Sequence, residues 1–587
     1  MAMTRGWFGC VLGLAALTLA GGAGCHESAL PGSGGTGGMI GTGGIGGQGG
    51  QGGIYPPPRS CSGLGPAPLQ LIDAQEYDNS IHTLLPLTVN ASPPTVFPGR
   101  LSWAHDWPQA VTVPPVVAES YLDVAEQQAW AQRGDSAAAL LHAGCQMAGA
   151  SDPDPMACAG GLATLIGGRA YRRPLFDEER QILVDAFSEG FSDSAESGVV
   201  ALVMSVLQAP QFLYRVELGD GSQGQGTRDL PPPTPYELAA RLSALFLGDL
   251  PDEPLRAAAA AGQLRTADQV GTQVKRLLAD PRGHAVSERF YRGWLSDFVG
   301  EGGVVDAERD PKLFPTFTSA VAVDMTREVL RFVDHHYWET DSDIASLLTA
   351  PYTFVTPALA QHYGLTVPAG TDPATLTQVP LDGRRRGGLL TQGALMTGMA
   401  HHATTSPVHR GKFVVEAMLC MQLPPPPANV PPIPPDLPPP NATNRQLLEM
   451  YTSQAQCNSC HQLMNPPGFT FEHFDPVGRW QDTDHGQPVD SSANLRSPLW
   501  DPPATVVDAM ELAAVMAQSD TVRQCVVRTW FRFVFGRPAD DNTDRCTLQE
   551  LDAAFRAGGS HVRDLVPLLT TSRPYLAPSR DLGGNGI

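Results

Sequence analysis

The sequence predicts a mainly α-helical protein built from several consecutive helical modules. A chain of 587 residues is longer than one ordinary hydrophobic core can serve, so we expect it to divide into modules. A capping box at 234–237, with proline at the first helical position, marks the start of a helix. The apolar residues that follow it recur at helical spacing at Leu238, Leu242, Leu245 and Phe246. Alternating strand patterns are rare, so we expect helices to predominate over strands.

Three further stretches carry helical signals. One helix is expected to open at Asp177, and a second is expected after Ser406-Pro407. A third should end at Gly536, because Pro538 follows shortly. The side chains expected to face inward in the first of these are Ile182, Leu183 and Phe187. The Pro-rich stretch 424–440 has no hydrophobic period and is predicted to be an extended spacer.

The first residues have the order of an export signal. Arg5 precedes an apolar run over 7–20, and small residues lead to Cys25 in a pattern similar to a lipobox. We expect a signal over 1–25, lipidation of Cys25 and a Gly-rich tether over 26–57. The alternative is a plain secretory signal that is cleaved nearby. On the first interpretation the protein is an exported lipoprotein, either periplasmic or anchored at the outer membrane.

The charge balance excludes some partners. The chain has 39 Lys and Arg against 60 Asp and Glu, a formal net charge of −21. Nucleic acid is therefore not expected as a partner, because phosphate binding requires a basic surface. No later segment has about 18 uninterrupted apolar residues, so the expected membrane contact is the lipid anchor alone.

The ten cysteines fall into groups by position. Cys10 lies in the signal, Cys25 is the expected lipid site, and two more belong to the motif described next. Six remain in a chain that is expected to be exported, so disulfides are expected. Proximity in the sequence predicts Cys145–Cys158 and Cys525–Cys546, and elimination leaves Cys61–Cys420.

The strongest chemical motif is Cys457-Asn458-Ser459-Cys460-His461. Two thiols at this spacing match the two vinyl groups of haem, and the imidazole that follows reaches the iron. The motif predicts haem c held covalently by Cys457 and Cys460, with His461 as an axial iron ligand. Two alternatives remain open at this stage: a simple Cys457–Cys460 disulfide, or a zinc site completed by His461 and a further ligand such as Cys420.

The residues around the motif suggest further roles. The carbonyl of Pro466 or Pro467 is a candidate acceptor for the second nitrogen of His461. The segment 464–480 is turn-rich, and its aromatic side chains are candidates either to wall a macrocycle or to form an ordinary small core. Those side chains are Phe469, Phe471, Phe474 and Trp480.

A sixth iron ligand is expected to come from outside the motif. Met464 follows His461 too closely to cross to the opposite face of a haem. Met510 and Met516 lie downstream in the order found in small cytochromes c, and we rank Met510 ahead of His485. An open sixth position is the remaining possibility, and it would favour small-ligand or peroxide chemistry over electron transfer alone.

Several short strings resemble a family of large exported bacterial proteins built from domains of unknown function 1587, 1595, 1592, 1588 and 1585. The strings stand at 74–79, 169–175, 207–217, 236–243, 386–390, 405–411, 475–479 and 533–537. The resemblance covers roughly 69–576. One departure is Asn465-Pro466-Pro467-Gly468-Phe469, where the family usually has Asp before the proline.

The resemblance implies an order of modules, which ends in a cytochrome c-like helical module. The implied modules are 61–135 (1587-like), 145–219 (1595-like), 228–366 (1592-like), 383–495 (1588-like, with the spacer and haem motif) and 503–577 (1585-like). It also implies a cell-envelope haem protein in electron transfer or haem-based redox chemistry, with a redox or envelope protein as partner. The alternative function is an envelope scaffold or binding lipoprotein in which the motif is only a structural haem, disulfide or zinc site.

Overall fold

The computed structural model describes residues 70–86, 115–149, 154–215, 217, 219, 232–299, 303–340, 342–424, 441–496 and 499–576. The expected signal, the tether, Cys25, Cys61 and most of the Pro-rich spacer lie outside these ranges. Helices account for most of the described residues, which confirms the mainly α prediction. None of the described helices is both long enough and apolar enough to span a bilayer.

The first part of the described chain contains seven α-helices and two short strands. They are α1 (Ala74–Leu84), α2 (Pro115–Ala131), α3 (Asp135–Ala148), α4 (Pro155–Ala170), α5 (Asp177–Phe191), α6 (Ala195–Gln208) and α7 (Pro210–Leu213). The strands β1 (Gln70–Leu71) and β2 (Tyr214–Arg215) pair antiparallel and bring the two ends of this part together.

The middle of the chain continues the helical pattern. Its helices are α8 (Pro235–Phe246), α9 (Glu253–Ala260), α10 (Ala267–Ala279), α11 (Ala285–Val299), α12 (Ser319–Asp334), α13 (Ile344–Thr349) and α14 (Pro357–Tyr363). A π-helical turn, His335–Glu339, directly follows α12. Strands β3 (Tyr352–Val355) and β4 (Thr377–Pro380) pair antiparallel, with Tyr352 opposite Pro380.

The last part holds the cysteine motif. Its helices are α15 (Gly393–Gly398), α16 (Pro407–Phe413), α17 (Asn444–Thr452), α18 (Ala455–Phe469), α19 (Ala509–Ala517), α20 (Asp520–Phe535), α21 (Arg545–Ala557), α22 (Leu565–Thr570) and α23 (Arg573–Leu576). A π-helical turn, Val414–Met418, extends α16. The short antiparallel pairs are β5 (Thr483–Asp484) with β6 (Gln487–Pro488), and β7 (Ala493–Leu495) with β8 (Ala504–Val506).

Two hydrophobic cores organise these elements. The first is formed by α1 to α7, and the second by apolar side chains from α8 to the end of the described chain. Polar contacts join them: the Asn79 amide donates to the Gly248 carbonyl at 2.9 Å, and Gln70 donates to the Phe535 carbonyl at 3.2 Å. The two cores are therefore connected by residues that lie far apart in the sequence.

Several local predictions are confirmed. Thr234 accepts a hydrogen bond from the Glu237 amide at 3.2 Å, while the Glu237 carboxylate accepts from the Thr234 amide at 2.6 Å. Helix α20 ends at Gly536, whose φ of 63° lies in the left-handed region. Cys145 and Cys158 form a disulfide between α3 and α4 with Cα atoms 4.3 Å apart, the pairing that their proximity predicts.

Other predictions are corrected. Ile182 was expected to face inward but is 61% exposed, because the core-facing side of α5 carries Leu183 and Phe187, with Val184 and Phe191 packed beside them. The turn expected around Pro466 and Pro467 is instead the last part of α18.

Candidate haem site

The cysteine motif lies in the first turns of α18. Cys457 and Cys460 are free, half-buried thiols in the structure, so the alternative of a disulfide between them is not formed. Residues three apart lie on neighbouring positions of one helix face. His461 follows directly and is also half-buried, while Asn458 and Ser459 between the thiols are exposed. Both thiols and the imidazole are therefore near the molecular surface.

Two of the predicted disulfides are wrong. Cys525 is bonded to Cys420, with Cα atoms 5.3 Å apart, and not to Cys546. Cys420 is therefore not bonded to Cys61. The reason is that α20 packs against the π-helical turn 414–418, which brings together residues 105 apart in sequence. Cys546 is itself disulfide-bonded, and Cys525 is not its partner.

The same bond removes the proposed fourth zinc ligand. The sulfur of Cys420 is committed to Cys525 and cannot also serve as a thiolate ligand. Within the described ranges, no group of three or more His, Cys, Asp or Glu side chains is arranged to hold a metal ion.

His461 is oriented by a short chain of hydrogen bonds. Its Nδ1 lies 3.0 Å from Oδ1 of Asn465, one helical turn later. The Asn465 amide nitrogen donates to the hydroxyl of Thr452 at 3.0 Å, and that hydroxyl donates to the Leu448 carbonyl at 2.7 Å. The hydrogen-bond partner of His461 Nδ1 is thus a side-chain amide, and the predicted carbonyl of Pro466 or Pro467 is not its partner. The carbonyl of Pro467 accepts instead from Thr470 at 2.7 Å.

Helix α18 is held by a close contact with α16. A Cβ atom at Gly411 would lie 1.8 Å from the Met464 carbonyl oxygen, and one at Gly468 would lie 2.0 Å from the Pro407 carbonyl oxygen. Only glycine fits at either position, so the two backbones can pack without intervening side chains. This contact fixes the second half of α18 and leaves its first turns, with the motif, on the outer side.

The segment after α18 is anchored by a fully buried arginine. Arg410 of α16 donates to the carbonyl oxygens of Phe471 at 2.8 Å and Phe474 at 2.9 Å. It also reaches the carbonyls of Met396 and Asp475 and lies 3.4 Å from the carboxylate of Glu472. The signature residues at 405–411 therefore serve mainly to position the chain that leaves the motif helix.

A second arginine holds the same segment from the other side. Arg386 donates to the carbonyl oxygens of Thr391, at 2.7 Å, and Gly478. Its guanidinium lies 4.0 Å from the centre of the Tyr363 ring. Asp475 closes the turn by accepting from the Arg479 amide at 2.8 Å and pairing with its side chain at 2.8 Å. The Asp-Pro-x-Gly-Arg string is thus a structural turn.

Glu472 lies at the centre of this anchor. Its carboxylate accepts from the Thr405 hydroxyl at 2.8 Å and from the Asn444 amide at 3.3 Å. Burial raises the pKa of Glu472, and the nearby charge of Arg410 opposes that shift. The backbone amide of Asn444 also donates to Asp484 at 2.6 Å, so the start of α17 is tied to the same network.

The aromatic residues after the motif form part of the protein core. Phe469, Phe471 and Phe474 are 4%, 0% and 1% exposed, and Trp480 stacks on His473 with ring centroids 4.4 Å apart. The three phenylalanines therefore pack in a core, as one of the two alternatives expected, with Trp480 partly buried against it. The chain turns back toward the body after α18, which directs these rings inward.

Several apolar side chains close to the motif in sequence are only partly buried. On α17, Leu448 and Tyr451 are half-buried and Met450 is 44% exposed. Leu463 on α18 is half-buried as well. Residues 450–471 contain no Asp, Glu, Lys or Arg. The residues that flank the motif in sequence therefore include accessible apolar side chains and, over 450–471, no Asp, Glu, Lys or Arg.

The candidate sixth ligands occupy different settings. Met510 on α19 packs against Gly387, where a Cβ atom would lie 2.8 Å from its terminal methyl carbon. Met516 is completely buried, and Met464 is 8% exposed. His485 lies at the β5–β6 turn, half exposed, with Nδ1 2.8 Å from Asp484. The ranking of Met510 over His485 stays a prediction.

Comparison with known families finds four matches along the chain. They are described as proteins of unknown function: DUF1595 over residues 158–217, DUF1592 over 234–365, DUF1588 over 386–484 and DUF1585 over 504–575. The cysteine motif and both arginine anchors fall within the DUF1588 match. Comparisons with curated proteins and with solved structures find no match. The chain therefore belongs to the multi-domain family that joins these four domains of unknown function in one polypeptide.

Proposed function

We propose that the protein is a cell-envelope c-type haem protein that acts in electron transfer or haem-based redox chemistry. The observation that carries the proposal is the arrangement at the start of α18. Two free thiols three residues apart are followed by an imidazole whose Nδ1 is committed to Asn465, which leaves Nε2 for a metal. This donor set fits haem c, which needs two thioether bonds and one imidazole.

Each residue of the motif would have its own role in holding haem. Cys457 and Cys460 would form the thioether bonds, and His461 would bind the iron through Nε2. Bound haem supplies reversible one-electron chemistry at its iron. Asn465 would hold the imidazole in place, and α16 would hold α18 through the Gly411 and Gly468 contacts.

The surroundings of the motif also suit a large apolar ring. Leu448, Tyr451 and Leu463, which are close to the motif in sequence, leave part of their apolar surface open. Covering such surface is favourable by about 25 cal/mol per Å². Residues 450–471 carry no Asp, Glu, Lys or Arg, so covering their side chains with a ring desolvates no charge of their own.

Haem attachment is tested by expressing the full chain with a c-type maturation system. A denaturing gel stained for haem should show a band at full length, because thioether-bound haem survives denaturation. The variants Cys457→Ala and Cys460→Ala should each weaken the band, and the double variant should lose it. The matched control is Asn458→Ala, which changes an exposed residue between the thiols and should keep the band. An unstained wild-type band in folded protein would refute the proposal.

The second candidate function is an envelope scaffold. The large helical body supports this candidate, because a single haem motif does not account for so many residues outside it. The described residues up to 363 form one core and much of the other without contributing to the motif. The buried Arg172, from another signature string, donates to the carbonyls of Phe212 and Ala170 and so is structural as well. A visible spectrum of protein purified from its own cells separates the two: a scaffold without haem has no Soret absorption.

A further inference from the structure

We infer that Thr452 and Asn465 keep a proton on Nδ1 of His461, so that Nε2 is the ring nitrogen left for iron, and that the uncharged Asn465 favours one-electron transfer over peroxide cleavage at the proposed site. The inference rests on the proposed haem function for its second half only. Its first half concerns the protein chain alone.

The direction of the hydrogen-bond chain follows from its last member. The Leu448 carbonyl can only accept, so the Thr452 hydroxyl donates its single proton there, at 2.7 Å. The Thr452 oxygen is then the acceptor for the Asn465 amide NH2, at 3.0 Å. This assignment leaves the Asn465 carbonyl oxygen facing Nδ1 of His461 at 3.0 Å. Because that oxygen can only accept, Nδ1 must carry the proton.

Burial makes this direction hard to reverse. Thr452 is 8% exposed and Asn465 is 7% exposed, so water has little access to compete for either side chain. Because Thr452 donates its proton to Leu448, flipping the Asn465 amide would set the Asn465 carbonyl oxygen against the Thr452 oxygen, which places two acceptors in contact. A buried polar group left unsatisfied costs about 1–3 kcal/mol. The network therefore selects one imidazole tautomer, and Nε2 keeps the lone pair that a metal requires.

The charge of the side chain that accepts from Nδ1 affects how strongly His461 donates to iron. A carboxylate at position 465 would attract the Nδ1 proton and give the imidazole anionic character, which strengthens its donation to iron. An amide is uncharged and does not do this. Second-shell hydrogen bonding of this kind is one of the levers that set haem potential and reactivity. Asn465 is therefore a positioning residue whose neutrality keeps His461 a moderate donor.

The first test needs no haem. Full-length protein with ¹⁵N-labelled histidine is prepared without the maturation system, and the His461 nitrogen shifts are assigned with a His461→Gln variant. At a pH where the imidazole is neutral, the wild type should show the Nδ1-protonated tautomer. Asn465→Ala and the milder Thr452→Val should each shift it toward a mixture with the Nε2-protonated form. Nε2 protonation in the wild type, or no change in either variant, would overturn the inference.

The second test uses the haem-loaded chain. Asn465→Asp should lower the midpoint potential and raise peroxidase turnover with hydrogen peroxide. The control is Asn458→Asp, which adds the same charge to the same helix at an exposed position. Equal effects of the two substitutions would mean that net charge alone acts, which overturns the tuning. A wild-type chain that takes up no haem would refute the proposed function and the tuning together, while the nitrogen shifts still decide the tautomer.

Discussion

The Arg410 guanidinium lies 3.4 Å from the Glu472 carboxylate, with the two side chains 0% and 4% exposed. The pair joins α16 to the segment that follows the motif helix. Four backbone carbonyls share the same guanidinium, so its charge is balanced by dipoles as well as by Glu472. The position of α18 relative to the second core depends on this arginine.

Replacing Arg410 should therefore strongly destabilise the protein. Arg410→Ala leaves a buried carboxylate without its partner, and breaking a buried pair in this way costs about 3–5 kcal/mol. The matched control on the same helix is Lys412→Ala, which removes a 42% exposed lysine paired with Glu416 and should cost about 0–1 kcal/mol. Urea unfolding of both variants measures the difference. Equal losses would show that Arg410 does not anchor the segment.

The local parts of this fold could be read from sequence because their signals are local. The capping box at Thr234, the stop at Gly536 and the Cys145–Cys158 bond each involve residues close in sequence. The prolines at 466 and 467 misled the prediction, because a proline pair ordinarily ends a helix. Here they fall in the last turns of α18, where the close contact with α16 holds the backbone.

Only part of the site could be predicted from the sequence. The spacing of the motif alone predicts the two thiols and His461 as haem-binding residues. Asn465 lies one turn after His461, so its side chain could have been proposed from helix geometry. Thr452 could not, because its place beside Asn465 depends on how α17 packs on α18. The Cys420–Cys525 bond and the Arg410–Glu472 pair join residues 105 and 62 apart and likewise depend on tertiary packing.

The buried His336 should make stability depend on pH. Burial lowers the pKa of His336 from 6.5 to about 4, and the neighbouring His335 adds to the shift. Below pH 6.5 the unfolded chain takes up a proton that the folded chain refuses, so the free energy of unfolding should fall as the pH drops toward 4. The loss attributable to this residue should approach about 3 kcal/mol.

The test compares the wild type with His336→Phe in chemical unfolding at several pH values. The variant should lack this part of the acid destabilisation. Tyr352→Phe removes the hydrogen bond to His336, 3.0 Å long, but keeps its burial, so it should retain the dependence. If the wild type and His336→Phe change in parallel over this range, burial of His336 is not the cause.

The two described disulfides should differ in their contribution to stability. In the chain-entropy model, closing the 105-residue separation of Cys420 and Cys525 stabilises by about 5 kcal/mol, and the 13-residue separation of Cys145 and Cys158 by about 3 kcal/mol. Cys420→Ser should therefore lower the unfolding free energy more than Cys145→Ser. Non-reducing peptide mapping should find both bonds, and a Cys525–Cys546 peptide would contradict the assignment.

Lipidation of Cys25 is expected from the order of its signal, and it predicts where the protein resides. Cells grown with a clickable fatty acid should label the wild type, whereas Cys25→Ala should remain unlabelled because the thiol is the attachment point. Cys10→Ala is the matched control and should leave labelling intact, because Cys10 lies inside the apolar run. Equal labelling of wild type and Cys25→Ala would leave only the plain secretory signal.

The sixth iron ligand, if the proposed haem is present, is predicted to be Met510 in preference to His485. A thioether ligand gives ferric haem a weak charge-transfer band at the red end of the visible spectrum, which a histidine ligand does not give. The band should appear in the wild type, vanish in Met510→Ala and persist in His485→Ala. Met450→Ala is the control, because this methionine is exposed on α17 near the motif but should not bind iron.

Since Met510 packs against Gly387, ligation also requires α19 to release that contact, so haem binding should change the packing of Met510. A wild-type spectrum without the band would exclude both Met510 and Met516 and leave His485 or an open position, which binding of added imidazole would then distinguish.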